Sequence, residues 1–229
     1  MPVELDDKRS VRKIVGVICT QADLRRATRM RNPPDLFELR LDAICGRNEE
    51  MNCSLEDLRA PLIITARHPV EGGLNHLSLQ KRRRLLLRFL PYAAYVDIEL
   101  RSAVALAPII NAARAKGARI ILSFHDFNKT PNRRRLDKIA RAADSLNADL
   151  LKVATRTDTP AQLASLLEFF RSAGRMKVAA MGTGKLGLIA RRELFRLGSV
   201  LNYGHLGRKT VTGQPSVVAL RRWKFTVIG

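Results

Sequence analysis

Acidic, aromatic and sulfur-bearing side chains are all scarce in this chain. Twenty-one Asp and Glu face 41 Lys and Arg, giving a formal charge of +20 at pH 7, and beyond Glu193 there is no acid at all. Aromatics make up 5% of the residues, too few to interleave base-stacking rings with the basic charge, which argues against a nucleic-acid platform. Three cysteines, Cys19, Cys45 and Cys53, form an odd set without metal-ligand spacing, so neither a disulfide framework nor a zinc site is expected, and a reducing, cytoplasmic compartment fits. No apolar run approaches the roughly 18 residues of a membrane span, and residues 1–12 alternate charge without the apolar core of a signal peptide. The basic surplus could attract polyanions or acidic metabolites. Its arginines, however, come in packets, Arg25/Arg26/Arg29, Arg82/Arg83/Arg84/Arg88, Arg133/Arg134/Arg135 and Arg191/Arg192, that read as solvated faces of helices.

What the chain does contain is a repeat of short aliphatic runs separated by stretches of helical period. Strands are predicted at 15–20, 36–42, 62–67, 95–100, 119–127, 150–156, 176–182 and 200–206, with starts spaced as a strand, a crossover helix and two short loops require. Thr130-Pro131 and Thr159-Pro160 each read as an N-cap threonine before a proline at the first helical position, and Gly117, Gly174 and Gly198 read as helix ends. The least defined helix is the second, near 54–60. Eight such units predict an α/β fold, a closed (β/α)8 TIM barrel over residues 1–229 as one catalytic domain, because closure leaves no sheet edge unpaired. A doubly wound open sheet is the competing architecture.

The strands discriminate between them, because strands of an open parallel sheet are apolar on both faces. Here ionisable groups recur at alternate positions. Glu38, Arg40 and Asp42 share one face of the second strand, Thr65 and Arg67 of the third, Asp97 and Glu99 of the fourth, Ser123 and His125 of the fifth, and Lys152 and Arg156 of the sixth. Most lie toward the C-terminal ends, where a barrel builds its active site. Each charge alone reads equally well as a structural group, but five neighbouring strands burying charge without function would be costly. A desolvated lysine among cationic neighbours yields a neutral amine able to attack a carbonyl and form a Schiff base. Lys152 is the predicted nucleophile, His125 the general acid and base, and Glu99 the carboxylate that orients the imidazole. Arg40, Arg67 and Arg191 suit an anionic substrate.

At this point the chain resembles type I 3-dehydroquinate dehydratases, the Schiff-base class. The resemblance rests on Phe37-Glu38-Leu39-Arg40-Leu41-Asp42, Thr65-Ala66-Arg67 with Glu71-Gly72-Gly73, Val96-Asp97-Ile98-Glu99-Leu100, Ser123-Phe124-His125-Asp126-Phe127 followed by Lys129-Thr130-Pro131, Lys152-Val153-Ala154, Met181-Gly182, Ile189-Ala190-Arg191 and Gly213-Gln214. It implies a TIM barrel without metal or cofactor, a homodimer, and conversion of 3-dehydroquinate to 3-dehydroshikimate by syn elimination of water in the shikimate pathway of aromatic amino-acid biosynthesis. By the same resemblance Arg191 grips the substrate carboxylate, Glu38, Arg40 and Arg67 hold hydroxyls and order the site, and Gln214 sits on a loop that closes over the ligand. Thr210 is a further substrate contact where other members carry Ser, Ala or Pro nearby, and Thr183 stands where some carry methionine.

Three other readings compete. Gly182-Thr183-Gly184-Lys185-Leu186-Gly187 is a literal GxGxxG, but the acid that a dinucleotide ribose requires about 20 residues later is missing, and Lys185 is not followed by the Ser or Thr of a phosphate-binding loop. Schiff-base aldolases also carry a lysine on strand six; the Ser-x-His-Asp-Phe and Glu-Gly-Gly stretches favour the dehydratase. A basic nucleic-acid or membrane-surface binder on an inactive barrel would have no use for Lys152, His125 and Glu99 on adjacent strands.

Overall fold

A computed structural model describes residues 12–45 and 55–226. The chain runs β1 (Lys13–Ile18), α1 (Gln21–Thr28), β2 (Leu36–Arg40), α2 (Leu41–Ile44), β3 (Leu62–Thr65), α3 (Leu79–Phe89), β4 (Ala93–Glu99), α4 (Ala107–Ala115), β5 (Arg119–Asp126), α5 (Arg133–Ser145), β6 (Leu150–Arg156), α6 (Pro160–Arg171), β7 (Val178–Thr183), α7 (Gly187–Leu197), β8 (Leu201–His205) and α8 (Val217–Thr226). All eight predicted strands are present, their ends displaced by no more than a few residues. They pair in parallel in the order β7-β6-β5-β4-β3-β2-β1-β8. At the seam the Val200 N–H donates to Val178 O at 3.2 Å, and Ser199 Oγ accepts from Ala180 N at 3.2 Å while donating to Ala180 O at 3.3 Å, so the sheet curls into a (β/α)8 barrel.

Strand alternation sorts the apolar side chains into two layers. Ile98, Leu122 and Val153 point outward and meet Leu85, Ile109, Leu136 and Leu166 of the surrounding helices. Val15, Leu36, Ile63, Tyr95, Ile121, Leu150 and Leu201 point inward and fill the lower half of the barrel. Each fully buried aliphatic side chain contributes about 1.5–3 kcal/mol, so the two layers make a rigid support. The interior positions one step further toward the C-terminal ends are the charged ones.

Three local expectations need correction. Helix α5 is capped by Asn132, whose side chain accepts from Arg135 N at 3.0 Å. Thr130 instead turns inward, donating to Arg156 O at 2.7 Å and bonding Thr155 Oγ1 at 2.9 Å, because a buried hydroxyl needs partners that a surface cap would not supply. Near 54–60 the described part forms only a 3-10 turn at Leu55–Asp57, while the second helix proper is the single turn of α2; residue 54 lies outside the described residues. Among the arginine packets, Arg82 and Arg191 are not solvated but buried; Arg82 donates to Ala66 O at 2.7 Å and Ser102 Oγ at 3.2 Å and bonds Glu99. By contrast Thr159 does cap α6, in a reciprocal box with Gln162, and Gly117, Gly174 and Gly198 adopt positive φ at helix ends.

The helices run opposite to the strands, so their carbonyl ends gather at the face away from the site. Basic residues occupy the last turn of α1 (Arg25, Arg26), α3 (Arg88), α4 (Arg114), α6 (Arg171), α7 (Arg196) and α8 (Lys224). Cations there oppose the partial negative charge of each helix end. Part of the basic surplus thus has a structural account. No helix among the described residues is long and apolar enough to cross a membrane.

Candidate active site

The C-terminal mouth of the barrel opens into a cavity of about 280 Å³. Eight of the nine residues singled out in the sequence line it: Lys152, His125, Glu38, Arg40, Arg67, Arg191, Thr210 and Gln214. Glu99 is the exception.

At the floor, Lys152 Nζ lies 2.8 Å from Glu38 Oε1 and 2.9 Å from Asp97 Oδ2. Asp97 in turn accepts two bonds from Arg67, at 2.8 and 3.0 Å, and one from Ser123 Oγ at 2.6 Å. Arg67 Nη1 continues to Glu99 Oε1 at 3.3 Å, and Glu99 bonds Arg82. Three carboxylates and three cations thus alternate through the upper barrel, nearly excluded from water. Removing one partner from such a network leaves another buried charge uncompensated. Burial pushes the Asp97 carboxyl up, but the charges of Arg67 and Lys152 outweigh it and hold the group far below the usual carboxylate range. The sequence reading expected cationic neighbours around Lys152. Its direct partners are instead acids, which bond the ammonium, so the amine must shed a proton before it can attack. Asp97 alternates inward on β4 together with Glu99, and it joins the site through Lys152.

The carboxylate on His125 is Glu71, and this corrects the role expected of Glu99. Glu71 Oε2 accepts from the His125 backbone N–H at 2.9 Å and lies 3.0 Å from Nδ1. Glu99 is engaged elsewhere, with Arg82, Arg67 and the His68 N–H at 2.8 Å, because α3 brings Arg82 beneath the end of β4. Glu71 comes from the loop after β3, so strand alternation could not reveal it. The signal available was the glycine pair behind it. Gly72 sits at φ 81° against the Phe127 ring, and a Cβ on Gly73 would meet Arg67 O at 2.2 Å, so only this pair lets the loop fold back and deliver Glu71 inward. Asp42 fixes the same loop, accepting from Arg67 N at 3.1 Å, Leu74 N at 2.9 Å and both arms of Arg40; Arg40 also donates to Gly72 O at 3.1 Å.

Burial and the positive charges of Arg67 and Lys152 hold the His125 imidazole well below its ordinary pKa, so it is neutral near pH 7. Burial pushes the Glu71 carboxyl up to about 7, with the Arg67 charge opposing and the Glu99 charge adding. When Glu71 is ionised it accepts the Nδ1 proton and leaves the Nε2 lone pair available as a base.

Arg191 is treated differently. It projects from α7, is buried, and donates to two carbonyls, Gly182 O at 2.8 Å and Tyr203 O at 3.3 Å. Among the described residues no carboxylate pairs with it, and burial alone lowers its pKa to about 10. A desolvated guanidinium lining a cavity without an acid partner has the chemistry to receive an external anion. Over it folds the loop after β8, where Gln214 Oε1 accepts from Thr210 N at 2.8 Å and Thr210 Oγ1 at 2.9 Å, leaving the Gln214 amide N–H groups to donate elsewhere. The GxGxxG stretch serves packing: Gly182 lies against Ala190, and Lys185 N donates to Asp158 at 2.7 Å across the turn. Among the described residues no three or more His, Cys, Asp or Glu side chains converge as a metal site would require.

Comparison with known proteins agrees with the fold. The family model described as Type I 3-dehydroquinase matches residues 16–226. A 3-dehydroquinate dehydratase of Thermococcus onnurineus is 31% identical over 213 residues, covering 91% of this chain and 95% of that protein. The structure of 3-dehydroquinate dehydratase from Enterococcus faecalis superposes with a TM-score of 0.78 at 29% identity, over 94% of this chain and 93% of that one. That of the Geobacillus kaustophilus protein gives 0.85 at 22% identity, over 95% and 91%, and speaks for the fold. The family match over nearly the whole described barrel, together with the relative at 31% identity, shows that the chain belongs to the type I 3-dehydroquinase family.

Proposed function

We propose that this chain removes water from 3-dehydroquinate to give 3-dehydroshikimate through an imine on Lys152. The observation that carries the reading is the pair of buried cations in one cavity, a lysine that can react and an arginine that lacks an anion. Arg191 takes the substrate carboxylate, which completes the ion pair the protein leaves open. This anchors the ring with its ketone toward Lys152, while Arg40 and the amide of Gln214 hold hydroxyls and the loop from Thr210 to Gln214 excludes water. Glu38, bonded to Nζ at 2.8 Å, accepts a proton from the ammonium, while Asp97 stays ionised between Arg67 and Lys152. The free amine adds to the ketone carbon, the carbinolamine loses water, and the iminium that results acidifies the adjacent C–H. His125 Nε2 removes that proton, with Glu71 holding Nδ1. The same imidazolium then protonates the departing hydroxyl, so base and acid act from one face, as a syn elimination demands. Hydrolysis of the conjugated iminium frees the enone and restores Lys152.

The same reading places the reaction in the shikimate pathway, in the cytoplasm, in a homodimer of twice the 25.6 kDa chain mass, which light scattering on the purified protein would register. The direct test is absorbance: incubation with 3-dehydroquinate should raise the signal of a conjugated enone in proportion to enzyme. No rise at any enzyme concentration contradicts the assignment.

A further inference from the structure

The elimination scheme leaves one inward ring without a task. Tyr203, on β8, is buried at 3% exposure, and its ring centroid lies 3.9 Å from Lys152 Nζ. A buried tyrosine ordinarily finds a partner for its hydroxyl. This one has none among the described residues, and burial, reinforced by the charges of Glu38 and Asp97, keeps the phenol protonated. The hydroxyl therefore does not explain the placement of the side chain. The ring face, set against the reacting nitrogen, does.

The contacts of Lys152 differ in what survives imine formation. The ammonium has three N–H groups and uses two of them on Glu38 Oε1 and Asp97 Oδ2. The iminium keeps a single N–H, so one of these two hydrogen bonds must be lost, yet the positive charge remains on the nitrogen. Attraction between a cation and an aromatic face depends on the ring quadrupole and needs no N–H. We infer that the face of Tyr203 supports the positive charge on Lys152 Nζ through imine formation, replacing the carboxylate contact that the iminium can no longer make. The inference rests on the imine reading above and names a catalytic contact from β8. Glu38 and Asp97 order the ammonium; Tyr203 favours the iminium over the neutral carbinolamine that precedes it.

The test keeps shape constant and changes only the quadrupole. Tyr203→Phe is the reference protein, and site-specific incorporation places difluoro-, trifluoro- and pentafluorophenylalanine at the same position. Two quantities are read: kcat with 3-dehydroquinate, and the fraction of enzyme captured at Lys152 when borohydride is added during turnover. Both should fall in step with fluorination, by about two- to thirty-fold from the unfluorinated ring to the pentafluorinated one. A flat series, with the adduct still forming at Lys152, overturns the inference and leaves Tyr203 as packing. Failure of the unsubstituted enzyme to form any adduct overturns the imine reading itself, and this inference with it. Tyr203→Leu, which removes the ring, should lower the captured fraction below the reference; a captured fraction equal to the reference would contradict the inference independently.

Discussion

Lys152 and Arg191 are two buried cations facing one cavity, and the protein treats them in opposite ways. Lys152 is enclosed by Glu38 and Asp97 within a neutral network that reaches through Arg67 and Glu99 to Arg82. Among the described residues, Arg191 donates only to backbone carbonyls. The balanced cation has a carboxylate, Glu38, bonded to it and able to take its proton, which suits a nucleophile. The unbalanced one retains an electrostatic demand that a substrate carboxylate can meet, which suits a receptor.

The largest effect should come from the proton carrier that serves the lysine. His125→Ala is expected to lower kcat by about 10²–10⁴-fold while borohydride still captures substrate on the enzyme; wild-type turnover would remove His125 from the acid-base role. Disturbing the two cations should then separate stability from binding. Asp97→Asn leaves Arg67 and Lys152 short of a counter-charge and should cost about 3–5 kcal/mol of stability, seen as a lower denaturation midpoint. Arg191→Met strands two carbonyls and should cost less than about 2 kcal/mol, yet raise KM on the order of 10- to 100-fold. Equal stability losses in the two variants would erase the distinction.

Glu71 gives a pH signature. Protonated below about 7, it donates to Nδ1 of His125 and moves the ring proton to Nε2, where a base is needed. The rate should therefore fall as pH drops through about 7, and Glu71→Gln should abolish that limb at a lower rate. An unchanged limb in the variant would assign it to another group. The smallest expected effect is at the rim, where Thr210→Val removes one bond to Gln214 and should lower kcat/KM by about two- to tenfold.

These contrasts also mark what could be read from the sequence. Strand runs are local, so all eight were legible, as were the inward charges of Glu38, Arg67, His125 and Lys152, because alternation is fixed by backbone geometry. Direction beyond the strand was not. Glu71 enters from a loop whose course depends on Gly72 and Gly73 fitting against Phe127 and Arg67. Arg82 looks like its solvated neighbours until the packing of α3 turns it toward Glu99. Misplacing Glu99 beside His125 followed from the same limit: both residues alternate inward, but which carboxylate reaches the imidazole is settled by tertiary contacts. Thr130 shows the competition at a cap, where a following proline signals a helix start and buried hydroxyl partners override it.

The central claim is that Lys152 is the reacting group. Incubation with 3-dehydroquinate and borohydride, followed by peptide mass analysis, should stop turnover and leave a substrate-derived mass on the peptide containing Lys152. An enzyme inactivated with that lysine unmodified, or one that survives the treatment fully active, would contradict the account.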